Sequence, residues 1–178
     1  ITDYNGSAKN VDIPKKIDGM SVTKIGSSAF SYHMLSSVTI PDGVTTIGSM
    51  AFRDCYLLTS IAMPDSVTSI GESAFDGCQS LTYIKIPDGL EIIDSSVFEG
   101  CTSLTSITIP DGVWIIYPFA FESCTNLTNI TIPDSVAMIG GSAFSGCESL
   151  TDVTIPDGVT DIRYGTFLHK PYKHYDTR

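Results

Sequence analysis

The chain has 178 residues, 42% of them apolar and only 17% charged, with a net charge of −10. Pro, Asp or Gly interrupts every apolar run well short of the roughly 18 residues a membrane-spanning helix needs, so no direct membrane insertion is expected. Between Ile25 and Ile162 sixteen acids face two bases, Arg53 and Lys85, and such a body repels phosphate backbones and anionic lipid, which excludes nucleic acid as a partner.

The other bases cluster towards the ends: Lys9, Lys15, Lys16 and Lys24 first, then Arg163, Lys170, Lys173 and Arg178. Partners are therefore expected to be neutral, cationic or metal-bridged. With no initiator Met and no charged-then-apolar leader, Ile1 reads as a processed or cut end.

Residues 1–34 read as an irregular opening repeat or cap. Val11–Pro14 and Ser21–Phe30 match the two halves of later units, and an insertion around Lys15–Met20 carries the turn signal Asp18-Gly19. Residues 35–167 then hold six units starting at Leu35, Leu58, Leu81, Leu104, Leu127 and Leu150, each 23 residues apart. Seven of the nine prolines follow one apolar slot, and seven of the eight phenylalanines hold another: Phe30, Phe52, Phe75, Phe98, Phe121, Phe144 and Phe167. A fixed period in this range predicts a solenoid, in which each unit buries its apolar face only against its neighbours.

Within a unit, L-x-x-I-x-I predicts a short strand, as in Ile107-Thr108-Ile109, and Pro-Asp-Gly or Pro-Asp-Ser ends it because Pro lacks the ladder donor. A second short strand is expected around pairs such as Val67 and Ile70. Gly71 is then expected at positive φ, and ESAFDG as a single helical or 3₁₀ turn with Ala74 and Phe75 inward. About seven such coils form a single solenoid domain, expected to be right-handed, with parallel strands. Residues 168–178, basic and aromatic, read as a C-terminal tail or cap.

The unit LxxIxIPxxVxxIGxxAFxxCxx, with its IPDGV and SAF signatures, is similar to the BspA-like leucine-rich repeat family from about Val11 to Phe167. The resemblance implies a scaffold of cell-surface or secreted proteins, mainly of bacteria living in hosts, with adhesion to host proteins and cells.

Candidates for chemistry mostly dissolve into the repeat. Cys55, Cys78, Cys101, Cys124 and Cys147 share one slot, contain no CxxC pair and are odd in number, so they are expected to be small buried hydrophobes closing a loop. Asp42, Asp65, Asp88, Asp111, Asp134 and Asp157 form a ladder, but Asp after Pro is turn chemistry, and one carboxylate per coil falls short of a dedicated calcium loop. His33, His169 and His174 lie in the irregular ends, and no nucleophile, phosphate-loop or dinucleotide motif is present. Neither an enzyme nor a cofactor is expected. The N-x-S/T triplets at Asn5, Asn126 and Asn129 are by-products of a Thr-rich repeat.

Two surfaces remain. The first strand presents a Ser/Thr field broken by Tyr83 and Lys85, with Asn129 and Asp152 as further candidate contacts. The second candidate is an exception to the repeat. Positions that are polar in early units, such as Thr68-Ser69, become Glu91-Ile92, Trp114-Ile115 and Ala137-Met138, while Tyr117, Pro118 and Phe119 replace the usual Gly and small polar residues. Stacking would bring Ile92, Ile115 and Met138 side by side beside Trp114, Tyr117 and Phe119, as a self-association or protein-binding patch, unless other parts of the protein cover it. A non-catalytic binding or adhesion module is thus expected, with a structural spacer or an accessory region of a larger enzyme as the alternatives.

Overall fold

The computed structural model describes residues 1–151 and 153–168. The strands in chain order are β1 (Asn10–Asp12), β2 (Lys16–Ile17), β3 (Met20–Ser21), β4 (Lys24–Ile25), β5 (Ser37–Thr39), β6 (Thr46–Ile47) and β7 (Ser60–Ala62). They continue as β8 (Ser69–Ile70), β9 (Ile92–Ile93), β10 (Ser106–Thr108), β11 (Ile115–Ile116), β12 (Asn129–Thr131), β13 (Met138–Ile139) and β14 (Asp161–Ile162). Every pairing between coils is parallel; β2 and β3 alone form an antiparallel hairpin, closed by Asp18 and Gly19 at φ 50° and 79°. The result is a parallel β-solenoid of about seven turns.

Two ladders run up the rod. The first strands pair as β1-β5-β7 and β10-β12, and the second strands as β4-β6-β8 and β9-β11-β13-β14. Both are interrupted at the same joint: β7 pairs with nothing above it, β8 does not pair with β9, and residues 82–86 form no ladder among the described residues. The third side of the coil bridges this joint, where Ser73, Phe75 and Gly77 donate to the carbonyls of Ser95, Val97 and Glu99 at 2.8–2.9 Å.

That third side contains no helix among the described residues, so the expected helical turn is corrected. Two slots per coil are left-handed instead. Two residues before each Phe stand Ser28, Met50, Ser73, Ser96, Phe119, Ser142 and Gly165, all at φ 55–76°. Two residues after Phe stand Tyr32, Asp54, Gly77, Gly100, Ser123 and Gly146, at φ 56–72°. Each left-handed residue ends one turn and redirects the chain, so bonds such as Ala51 N to Gly48 O (3.2 Å) and Cys55 N to Phe52 O (3.2 Å) close successive turns and never a helix. Gly71 is not at positive φ. A Cβ there would lie 2.7 Å from the backbone nitrogen of Ser49, so this glycine serves close approach of coils.

The core is a set of columns. Phe30 to Phe167 stack ring on ring with centroids 5.2–5.7 Å apart and planes within 15°, and Tyr4 covers the first ring at 5.1 Å. Each such pair adds roughly 0.5–1.5 kcal/mol beyond its burial. The cysteines are free and fully buried, and each Sγ–H donates to the Phe carbonyl oxygen of the coil beneath, as Cys55 to Phe30 at 3.0 Å and Cys101 to Phe75 at 3.3 Å. The slot suits Cys because its small apolar side chain carries one weak donor. Burial pushes the Cys55 thiol up to about 12 and raises Cys78, Cys101 and Cys124 well above the ordinary range.

Candidate interaction surface

The second ladder places Ile92, Ile115 and Met138 in one register row, Ile115 pairing with Ile92 below and Met138 above. The row packs against itself: Ile115 is buried, while Ile92 and Met138 are half-buried. The exposed apolar surface is carried by Trp114 (49% exposed) and Phe119 (43%), with Tyr117 half-buried between them in sequence. Trp114 stands beside Glu91 of the preceding coil, its N–H donating to the Glu91 carbonyl oxygen at 3.0 Å. Tyr117 stands beside Asp94, two positions where other coils carry Gly48, Gly71 and Gly140.

Phe119 fills the left-handed slot at φ 61°, held elsewhere by Ser, Met or Gly. A bulky aromatic there carries a backbone cost of about 1 kcal/mol or more. An exposed ring further along this side of the coils was not anticipated. Tyr164 is 91% exposed and continues the column of Pro118 and Gly141 two coils on; the 23-residue offset from residue 118 was the signal for it.

The Ser/Thr field lies on the first ladder, where Ser106 pairs with Asn129 and Thr108 with Thr131. Tyr83 and Lys85 are exposed at the ladder interruption, and the Lys85 Nζ is held by Asp65 Oδ1 at 2.6 Å, so its charge is already answered within the fold. Asn129 is exposed and its amide donates to Thr128 Oγ1 at 3.0 Å. Asp152, His169, His174 and the tail from residue 169 lie outside the described residues.

The Asp ladder is exposed along the strand ends, and each turn there is closed by the backbone, as Val113 N to Pro110 O at 3.0 Å. Among the described residues no group of three His, Cys, Asp or Glu converges on a point that could hold a metal ion. A second acidic column was missed: Asp76, Glu99 and Glu122 follow the Phe of successive coils and are half-buried. Burial, with Glu99 alongside, raises the Asp76 carboxyl to about 6, against the pull of Arg53, whose Nε lies 3.1 Å from Asp76 Oδ2. Glu122 is raised too, by burial first and then by Glu99.

These columns, turns and ladders define a leucine-rich-repeat scaffold. The chain belongs to the BspA-type leucine-rich repeat region family, whose model matches six copies over residues 4–124 and 45–173. It is similar to the T. pallidum leucine-rich repeat protein (33% identity, TM-score 0.86, covering 90% of this chain and 76% of that one). It is similar as well to a leucine-rich cell surface protein from Faecalibacterium prausnitzii A2-165 (39% identity, TM-score 0.83, 90% of this chain and 45% of that one). A leucine-rich repeat protein from Eubacterium ventriosum matches at 28% identity and TM-score 0.83, over 98% of this chain and 47% of that one. The chain thus spans under half the length of the last two. No curated protein matches it. Leucine-rich repeats generally mediate protein contacts and are generally non-enzymatic, and no helix among the described residues is long and apolar enough to cross a membrane.

Proposed function

We propose that the chain is a non-catalytic protein-binding module of a cell-surface or secreted bacterial protein, working in adhesion to a host protein through the Trp114–Phe119 surface. The observation that carries this is Phe119, an exposed aromatic kept in a left-handed slot where serine would cost less. The only Trp of the chain stands five residues before it, half out of the fold. The F. prausnitzii relative, described as a cell surface protein, supports the location.

The test is retention of immobilised host matrix proteins by the purified chain and by the double variant Trp114→Ser, Phe119→Ser. Loss of retention with a melting temperature that does not fall supports the reading; retention unaffected by the variant contradicts it. A spacer or accessory role is the second reading, favoured by the chain covering only 45–47% of two longer relatives. It expects no retention by either form.

A further inference from the structure

We propose that the Trp114 surface is built for a basic peptide segment, whose Arg or Lys side chains stack on the aromatic rings and reach the carboxylates beside them. This rests on the reading of that surface as a protein-binding site and adds the chemistry of its partner.

The first observation is that an aromatic and an acidic residue are backbone neighbours across one coil step, twice over. Trp114 adjoins Glu91 through the 3.0 Å backbone bond, and Tyr117 N–H donates to Ile93 O at 2.9 Å, which sets Tyr117 beside Asp94. A guanidinium or ammonium group is attracted both by the face of an indole or phenol ring and by a carboxylate.

The second observation is that the fold does not answer these acids itself. Arg53 is bound to Asp76 and Asp54 at 3.1 and 3.4 Å, Lys85 to Asp65 at 2.6 Å, and Arg163 to Asp161 at 2.7 Å. Glu91 and Asp94 make no ion pair among the described residues; Asp94 Oδ1 accepts only from the Ser95 N–H, at 2.8 Å. Asp161, in register with Met138 at the far end of the row, is neutralised by Arg163.

Charge then decides between occupants. A neutral apolar partner covering Trp114 would desolvate the two acids with no counter-charge, at a cost of several kcal/mol. A second copy packing its repeat body here meets like charge, because sixteen acids face two bases between Ile25 and Ile162. A cationic segment satisfies ring and carboxylate together, and the acidic body steers it in.

The experiment uses short synthetic peptides alternating Ser with Arg, Gln, Leu or Glu, titrated against the whole chain by calorimetry and by fluorescence of Trp114, the one indole present. The Arg peptide is expected to bind and perturb the fluorescence, and to weaken as salt rises from about 50 to about 300 mM. Trp114→Ser, and separately Glu91→Gln with Asp94→Asn, should each weaken it about tenfold. The same charge change on the Asp ladder, Asp134→Asn with Asp157→Asn, should leave it within about twofold. The inference is overturned if the Arg peptide binds no better than the Gln peptide, or if the ladder variant weakens it as much as the Glu91 and Asp94 change. Binding of the Leu peptide alone, lost with Trp114→Ser, overturns the basic partner yet leaves the surface an interface. Binding of any peptide that ignores Trp114→Ser overturns both.

Discussion

Phe119 sits directly above Ser96 in the column of left-handed residues, at φ 61° against 55°. The backbone is the same; the side chains are not. Serine tolerates this conformation with a small side chain, whereas a phenyl ring crowds it. Phe119→Gly should therefore raise stability by about 1 kcal/mol, or a few degrees of melting temperature, while reducing partner binding. A thermal melt alongside the binding assay checks both signs.

The stacked rings make the core cooperative along the rod. Phe98 is fully buried between Phe75 and Phe121, with centroids 5.7 and 5.5 Å away. Phe98→Ala should cost about 3–5 kcal/mol, and Phe98→Leu distinctly less, because leucine refills most of the cavity. Urea denaturation of the two variants measures the difference.

The cysteine slot is structural. All five thiols are buried and hydrogen-bonded to a carbonyl of the coil beneath or raised far from thiolate formation, Cys55 to about 12. A thiol reagent at pH 8 should label none of them in the folded chain and all five in denaturant.

The acidic column gives a pH signature. The Asp76 carboxyl holds its proton more tightly folded, at about 6, than at its ordinary 3.8. Its contribution to stability is thus fully present below pH 3.8 and lost as pH rises through about 6. Glu122, raised as well, acts in the same direction. Melting temperature should fall across that window, and Asp76→Asn should flatten the fall.

The interrupted ladder marks a weak joint. Residues 82–86 donate no ladder bonds, whereas β5 is paired on both sides. Hydrogen exchange should be faster at Tyr83, Ile84, Lys85 and Ile86 than at Ser37, Val38 and Thr39.

The period alone made the solenoid, its parallel strands and the buried Phe, Cys and Leu columns legible, because each slot recurs often enough to show what it does. Backbone conformation was less visible. ESAFDG carries helix-compatible residues, and only the dihedrals reveal that Ser73 and Gly77 are left-handed. Gly71 could be read as a turn residue or as a gap for a neighbour, and only the 2.7 Å approach to Ser49 decides. Tyr4 covers Phe30 from outside the 23-residue frame, so no slot announced it. The patch was legible as a break in the rule. That Ile115 is covered by its own neighbours, leaving Trp114 and Phe119 to face solvent, followed only from register and exposure.

The most direct measurement is hydrogen exchange of the chain with and without a saturating Arg-Ser peptide. The expected result is protection confined to residues 91–94 and 114–119, together with a change in Trp114 fluorescence. Protection on the Ser/Thr strands β5, β7, β10 and β12 with Trp114 unperturbed would contradict it.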